Sequence, residues 1–172
     1  MNKILIILIT IPLFFGSCEK EEEESNNNNL FITFEKTYGG VGWDNQNGWN
    51  LDQGRSGQQT LDGGYVLVGS TMNLNNGIND IYLIKTDQNG NKQWSQTFGE
   101  ITIYEEGYSV QQTNDGGYII TGNEDLKIFL IKTDVSGNEQ WSQTFGNSTL
   151  ENIGYSVQQT NDGGYIITGT IN

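Results

Sequence analysis

Sixteen residues of this chain occur twice without a change: Gly107-Tyr-Ser-Val-Gln-Gln-Thr-Asn-Asp-Gly-Gly-Tyr-Ile-Ile-Thr-Gly122 returns as Gly154–Gly169, at an offset of 47 residues. The same offset carries Tyr82-Leu-Ile-Lys-Thr-Asp87, with Trp94 and Gly99, onto Phe129-Leu-Ile-Lys-Thr-Asp134, with Trp141 and Gly146. Gln58–Gly69 is a third copy of the first half. Self-similarity of this kind constrains the fold strongly. Each unit is one supersecondary structure, and it buries its apolar surface by stacking on the next.

Four strands can be read inside a unit. Strand A covers Tyr108–Thr113 and strand B Tyr118–Thr121, joined by the turn Asn114–Gly117, where glycine supplies positive φ. Strand C covers Ile128–Thr133. After the turn Val135–Asn138, strand D covers Glu139–Phe145, with Trp141, Gln143 and Phe145 alternating on one face. B and C are apolar on both faces, as strands are when both sides of their sheet are covered. The expected fold is therefore all-β: tandem four-stranded antiparallel blades of about 47 residues filling 30–172. The first strand A is irregular around Trp49–Gly57. Phe34–Gly39 aligns with Trp94–Gly99, so the array opens on a lone strand D. It closes on an A–B pair, leaving two whole blades and partial ones.

The order of a Phe-Gly step, Gly-Tyr-Ser-Val-Gln-Gln-Thr-Asn-Asp-Gly-Gly-Tyr-Ile-Ile-Thr-Gly, then Leu-Ile-Lys-Thr-Asp-x-x-Gly-Asn-x-x-Trp resembles the β-propeller repeats of bacterial and archaeal secreted proteins, including the PQQ-type blade. The resemblance implies a propeller-like array and no particular activity. The metal and quinone ligands of PQQ enzymes have no counterpart here. Asp-Gly-Gly-Tyr and Gly-Asn-x-x-Trp-Ser also resemble bulb-type lectins, but Gln112–Ile120 departs from their mannose motif at several positions. Propellers have four to eight blades, whereas the repeats here make about three. An open arc, assembly with further copies to complete the ring, and a truncated form of a longer gene all follow from that count.

Residues 1–17 have a different character. Lys3 precedes a twelve-residue, largely apolar run, Ile4–Phe15. The run is too short to span a bilayer and the right length for a signal peptide. Phe15-Gly16-Ser17-Cys18 resembles a bacterial lipobox, which implies diacylation of Cys18 and loss of the preceding segment. The acidic run Glu19–Glu24 behind it resembles the surface-export signal of Bacteroidetes lipoproteins. Residues 18–29 have no apolar surface and read as a disordered tether. The expectation is an outer-membrane lipoprotein, held to the membrane through its lipid and exposed at the cell surface.

The formal charge is −13, and the repeats contribute 16 acidic against 6 basic residues. Such a surface repels phosphate backbones, so no nucleic-acid partner is expected. There is no histidine and one cysteine, which excludes histidine acid–base chemistry and an internal disulfide. No nucleophile motif is present, and no enzymatic activity, cofactor or metal is expected. Asp87-x-Asn89-Gly90-Asn91 and its copy at 134–138 read as hairpin turns rather than calcium loops.

The copies differ from one another at two connections. Gly69 to Leu83 is six residues longer than Gly122 to Leu130, and Glu100–Glu106 differs from Asn147–Ile153. In an antiparallel blade the B–C and D–A connections share one edge, so the variation falls together. Loops on a rigid scaffold are where binding is usually built. The candidate ligand-binding residues are Asn76, Asp80, Tyr104 and Glu105 on these connections, and Trp43 and Trp49 outside the regular pattern. Trp94 and Trp141 read as core. The expected role is a binding scaffold for an extracellular protein or glycan. A lectin-like or carbohydrate-active protein is one alternative, and a propeller fragment without function of its own is another.

Overall fold

The computed structural model of the chain describes residues 4–10, 31–39, 52–73, 76–147 and 149–172. Cys18, the tether 18–29, Trp43 and Trp49 lie outside the described residues. The described elements are all strands: β1 (Ile4–Thr10), β2 (Phe31–Tyr38), β3 (Gln53–Gln59), β4 (Tyr65–Asn73), β5 (Ile78–Thr86), β6 (Lys92–Phe98), β7 (Glu105–Gln112), β8 (Tyr118–Glu124), β9 (Lys127–Thr133), β10 (Glu139–Phe145), β11 (Ile153–Gln159) and β12 (Tyr165–Thr170). β3–β6 and β7–β10 each form a four-stranded antiparallel sheet in sequence order. β11–β12 and β1–β2 form two-stranded sheets.

Strands A and B run longer than the side-chain pattern suggests. β7 begins at Glu105 and β8 reaches Glu124, because Glu105↔Glu124 and Glu106↔Asn123 extend the ladder beyond Gly107. Backbone pairing needs no apolar side chain, so the periodicity gives no sign of it. Each A–B pair carries an irregularity at the same place, between Gly54 and Ser56, Gly107 and Ser109, and Gly154 and Ser156. Strand B has a glycine there. A Cβ on Gly69, Gly122 or Gly169 would lie 1.7, 1.8 or 2.0 Å from the carbonyl oxygen of Gln53, Glu106 or Ile153.

The sheets stack face to face. Val66, Val68, Ile81 and Leu83 of the first four-stranded sheet form one core with Val110, Tyr118, Ile120, Phe129 and Ile131 of the second. Ile119 and Leu130, on the second sheet's other face, pack with Val157, Tyr165 and Ile167. One aromatic contact recurs at every step: Phe34 on Tyr65, Trp94 on Tyr118 and Trp141 on Tyr165, with ring centroids 5.6, 5.7 and 5.7 Å apart. The strand-D aromatic of one sheet thus meets the first strand-B tyrosine of the next. Trp94 is packed against the core as expected, but Trp141 is 37% exposed.

β2 therefore stacks on the first full sheet as a strand D would. Its neighbour β1 comes from the apolar run of the expected export segment. Ile4↔Tyr38 and Ile7↔Glu35 match Ile81↔Phe98 and Ile84↔Ser95 of the β5–β6 pair. Ile9↔Ile32 likewise matches Thr86↔Lys92, with an irregularity just before it in both. β1 stands where the repeats place strand C. The repeats alone leave that position vacant, and the apolar run that fills it has the composition of a signal's core as well as of a strand.

Candidate functional site

The two edges of the stacked sheets differ in chemistry. At one edge lie the A–B and C–D turns, whose polar groups satisfy one another. Asp87 accepts the N–H groups of Asn89 and Asn91 at 2.9 and 2.8 Å and the Asn91 amide at 2.9 Å. Asp134 repeats the arrangement with Ser136 and Asn138. These contacts hold the carboxylates of both turns below their ordinary pKa, with the Asn91 and Asn138 side chains as the largest cause. In the A–B turns, the buried Lys85 and Lys132 ammonium groups reach Asp62 at 2.7 Å and Asp115 at 2.8 Å. Each lysine also donates to the next residue's carbonyl and to Gln93 or Gln140.

The B–C and D–A connections meet at the other edge, as the sequence predicts. Asn76 donates through Nδ2 to the Ile101 carbonyl at 2.9 Å, and its Oδ1 accepts the Ile78 N–H at 3.0 Å. Asp125 N–H donates to the Tyr104 carbonyl at 2.9 Å. Asp125 opens the tight β8–β9 hairpin at φ 55°, a left-handed conformation that aspartate tolerates better than most side chains. The half-exposed Tyr104 hydroxyl accepts from Asn79 Nδ2 at 2.9 Å and donates to Glu106 Oε1 at 3.0 Å. Glu106 Oε2 accepts from the Tyr108 hydroxyl at 2.7 Å and lies 3.5 Å from Arg55. The Arg55 guanidinium sits 5.0 Å from the Tyr108 ring centroid, and Tyr108 meets Tyr155 edge-on at 5.8 Å. Arg55, Tyr108 and Tyr155 are equivalent strand-A positions, so they form a ladder across three sheets.

Between the two four-stranded sheets, on the same edge, lies an open cleft of about 330 Å³. Ile81, Phe98, Phe129 and Ile131 give it an apolar wall, and Glu100, Glu105, Glu124 and Glu139 line it with carboxylates. Glu105 is 2% exposed. Its Oε1 accepts the Glu100 N–H at 3.0 Å, whereas Oε2 is buried with no partner among the described residues. Burial, reinforced by the charges of Asp80, Glu124 and Glu100, pushes its pKa up to about 7. Asp80 is also buried. Its Oδ2 accepts from Asn73 Nδ2 at 3.1 Å, its Oδ1 has no partner among the described residues, and burial raises its pKa. Glu124 is raised by burial and by the charge of Glu100.

The structure thus brings Asn76, Asp80, Tyr104 and Glu105 to one edge. Asp80 and Glu105 share a buried acidic neighbourhood, and Asn76 and Tyr104 brace the loops above it. Reading the sequence missed Arg55, Asn79 and Glu106, which complete the Tyr104 network, and Glu124 and Glu139 in the cleft. Glu105, already a candidate from the sequence, stands where the next repeat has Asn152, a polar residue at a buried position in both. No three acidic or cysteine residues among those described are grouped so as to hold a metal ion. No helix of the described residues is long and apolar enough to cross a membrane. No protein-family model matches the chain and no curated protein matches it, so its function rests on its own residues.

Proposed function

We propose that the chain is a cell-envelope lipoprotein, anchored through Cys18, whose repeats form an incomplete propeller-like array of blades that binds an extracellular protein or glycan on its loop edge. One observation carries the binding part of this reading. The connections that differ between copies are gathered on one edge, beside a cleft with an apolar wall and carboxylate rim, while the opposite edge repeats nearly unchanged and uses up its own polar groups. Invariant turns serve the scaffold, and variable loops on it are where ligands are read. The reading of the array as blades is supported by the recurring strand-D aromatic contact. The anchor reading is supported by Phe15–Cys18 and the acidic run behind it, and it takes β1, which precedes Cys18, out of the mature protein.

Two measurements test this. Protease shaving of intact cells digests the repeats if they face outward, and full protection sinks surface exposure. Binding of the full-length chain to a glycan array and to extracellular matrix proteins should be lost in Asn76→Ala and Tyr104→Ala. It should persist in Leu61→Ala, an exposed position on the opposite edge. Equal loss in all three variants places the ligand elsewhere. The carbohydrate-active alternative draws on the same carboxylate-rimmed cleft, and hydrolysis of a polysaccharide that depends on Glu105 would favour it.

A further inference from the structure

Charge in the cleft between the two four-stranded sheets is one-sided. Its walls come from those sheets and the connection that joins them, with Glu100, Glu105, Glu124 and Glu139 in the lining. No lysine or arginine among the described residues lines it. Lys127, whose charge opposes the rise of the Glu124 pKa, stands outside the lining.

Elsewhere the chain matches its buried charges. The ammonium groups of Lys85 and Lys132 have Asp62 and Asp115. Glu106, next to Glu105 in the chain, meets Tyr104 with one oxygen and Tyr108 and Arg55 with the other. Glu105 differs: it is buried in the cleft lining, and its Oε2 has no partner among the described residues. A second such oxygen lies close by. A Cβ on Gly99, also in the lining, would come 2.5 Å from Asp80 Oδ1, which is likewise buried without a described partner. Buried carboxylate oxygens without donors are costly, and a ligand that brings a donor removes that penalty.

The same cleft has the apolar wall of Ile81, Phe98, Phe129 and Ile131, with the exposed Ile101 and half-exposed Tyr104 on the connection beside it. The complement to such a site is an apolar stem with a cationic end. Lysine fits it better than arginine. One Glu105 oxygen already accepts the Glu100 N–H, which leaves a single acceptor where a guanidinium fork uses two. An ammonium is a compact charge whose three donors several carboxylates can share. A neutral sugar brings hydroxyl donors but no charge to set against the carboxylates, and an anionic one is repelled.

We propose that the cleft receives a lysine side chain from a basic segment of a partner protein, its stem along Ile81, Phe98, Phe129 and Ile131 and its ammonium among Glu100, Glu105 and Glu124. The inference rests on the loop edge being the binding face, and it narrows the ligand from protein or glycan to a polypeptide of stated charge.

The probe is the pentapeptide acetyl-Gly-Gly-Lys-Gly-Gly-amide, titrated into the isotope-labelled full-length chain at pH 8, above the value of about 7 to which burial raises Glu105. NMR should show shifts at the amides of Glu100, Glu105, Glu124 and Phe129. Norleucine in place of the peptide lysine keeps the stem and drops the charge; it should weaken binding about tenfold, as should Glu105→Gln in the protein. Leu61→Ala, on the opposite edge, should leave binding unchanged. Binding as tight by the norleucine or an arginine peptide, affinity indifferent to Glu105→Gln, or shifts confined to other residues would overturn the proposal. So would a neutral oligosaccharide that moves these amides where the lysine peptide moves none, an outcome that keeps the loop edge as the binding face. Failure of the wider reading shows differently, as equal loss of matrix-protein binding in Asn76→Ala, Tyr104→Ala and Leu61→Ala.

Discussion

Glu105 and Asn152 occupy the same buried place in successive repeats, yet their hydrogen bonding differs. Asn152 Nδ2 donates to the carbonyls of Leu126, Leu150 and Asn147 at 2.6, 2.8 and 2.9 Å, and its Oδ1 accepts the Asn172 N–H at 3.0 Å. Glu105 accepts the Glu100 N–H with one oxygen and buries the other without a described partner. The amide closes its D–A loop with donors. The carboxyl can offer one only when protonated.

The pH dependence of stability follows from that difference. The pKa of Glu105 rises from 4.5 to about 7 on folding, so the folded state holds a proton that the unfolded state releases between those values. Stability attributable to this group is full below pH 4.5 and falls as pH rises toward 7. Glu105→Gln keeps an acceptor for Glu100 and removes the charge. Urea titration should show the variant about 2–3 kcal/mol more stable than the parent at pH 8 and nearly equal at pH 4. A parent whose stability rises from pH 5 to 8 more steeply than that of the variant contradicts the assignment.

At the partner position the chemistry runs the other way. Asn152→Ala deletes the two N–H donors that three carbonyls share and should cost about 2–3 kcal/mol in chemical denaturation. Asn152→Asp, nearly isosteric, faces carbonyl oxygens with an anion and should be the more damaging of the two at pH 7. Its deficit should narrow as the solution is acidified.

The lysine clamps give an acid limb of opposite sign. Asp62 and Asp115 are drawn down from 3.8 to about 2, first by hydrogen bonds from Lys85 and Lys132 and next by those from Thr60 and Thr113. Their contribution is present above pH 3.8 and is lost as pH falls through 2. Both aspartates are more than half exposed, so solvent screening holds each to about 1 kcal/mol. The double variant Asp62→Asn/Asp115→Asn should therefore show a flatter stability profile than the parent between pH 4 and 2, measured by thermal melts.

Glycines in the same repeat should respond unequally to alanine. Gly116 has φ +84° with open space around it, so Gly116→Ala should cost about 1 kcal/mol of left-handed strain. Gly122 faces the Glu106 carbonyl across the strand-A irregularity, where no side chain can swing aside. Gly122→Ala should cost about 2–3 kcal/mol, read as a lower denaturation midpoint.

Much of this architecture is legible in the sequence because repetition is its own alignment. The strands, both turn types and the shared loop edge follow from comparing the copies. What stays hidden has physical causes. The extension of β7 and β8 rests on backbone pairing, which leaves no mark on side-chain periodicity. The pairing of β1 with β2 is hidden because an apolar run fits a leader and a strand equally well. In the candidate site, Asn76, Asp80, Tyr104 and Glu105 stand out as lying on variable connections. Arg55 and Glu106, by contrast, lie 51 residues apart and meet through sheet stacking, a distance that no local pattern encodes.

The recurring contact of a strand-D aromatic with the next strand-B tyrosine has a consequence at the level of the gene. Phe34–Tyr65, Trp94–Tyr118 and Trp141–Tyr165 have nearly one geometry, so one unit can be spliced out or in without giving a side chain an unfamiliar neighbour. Unequal recombination between the identical stretches 107–122 and 154–169 changes the length by 47 residues and leaves the reading frame intact. Alleles of different length that fold equally well are the expected population signature of such a locus.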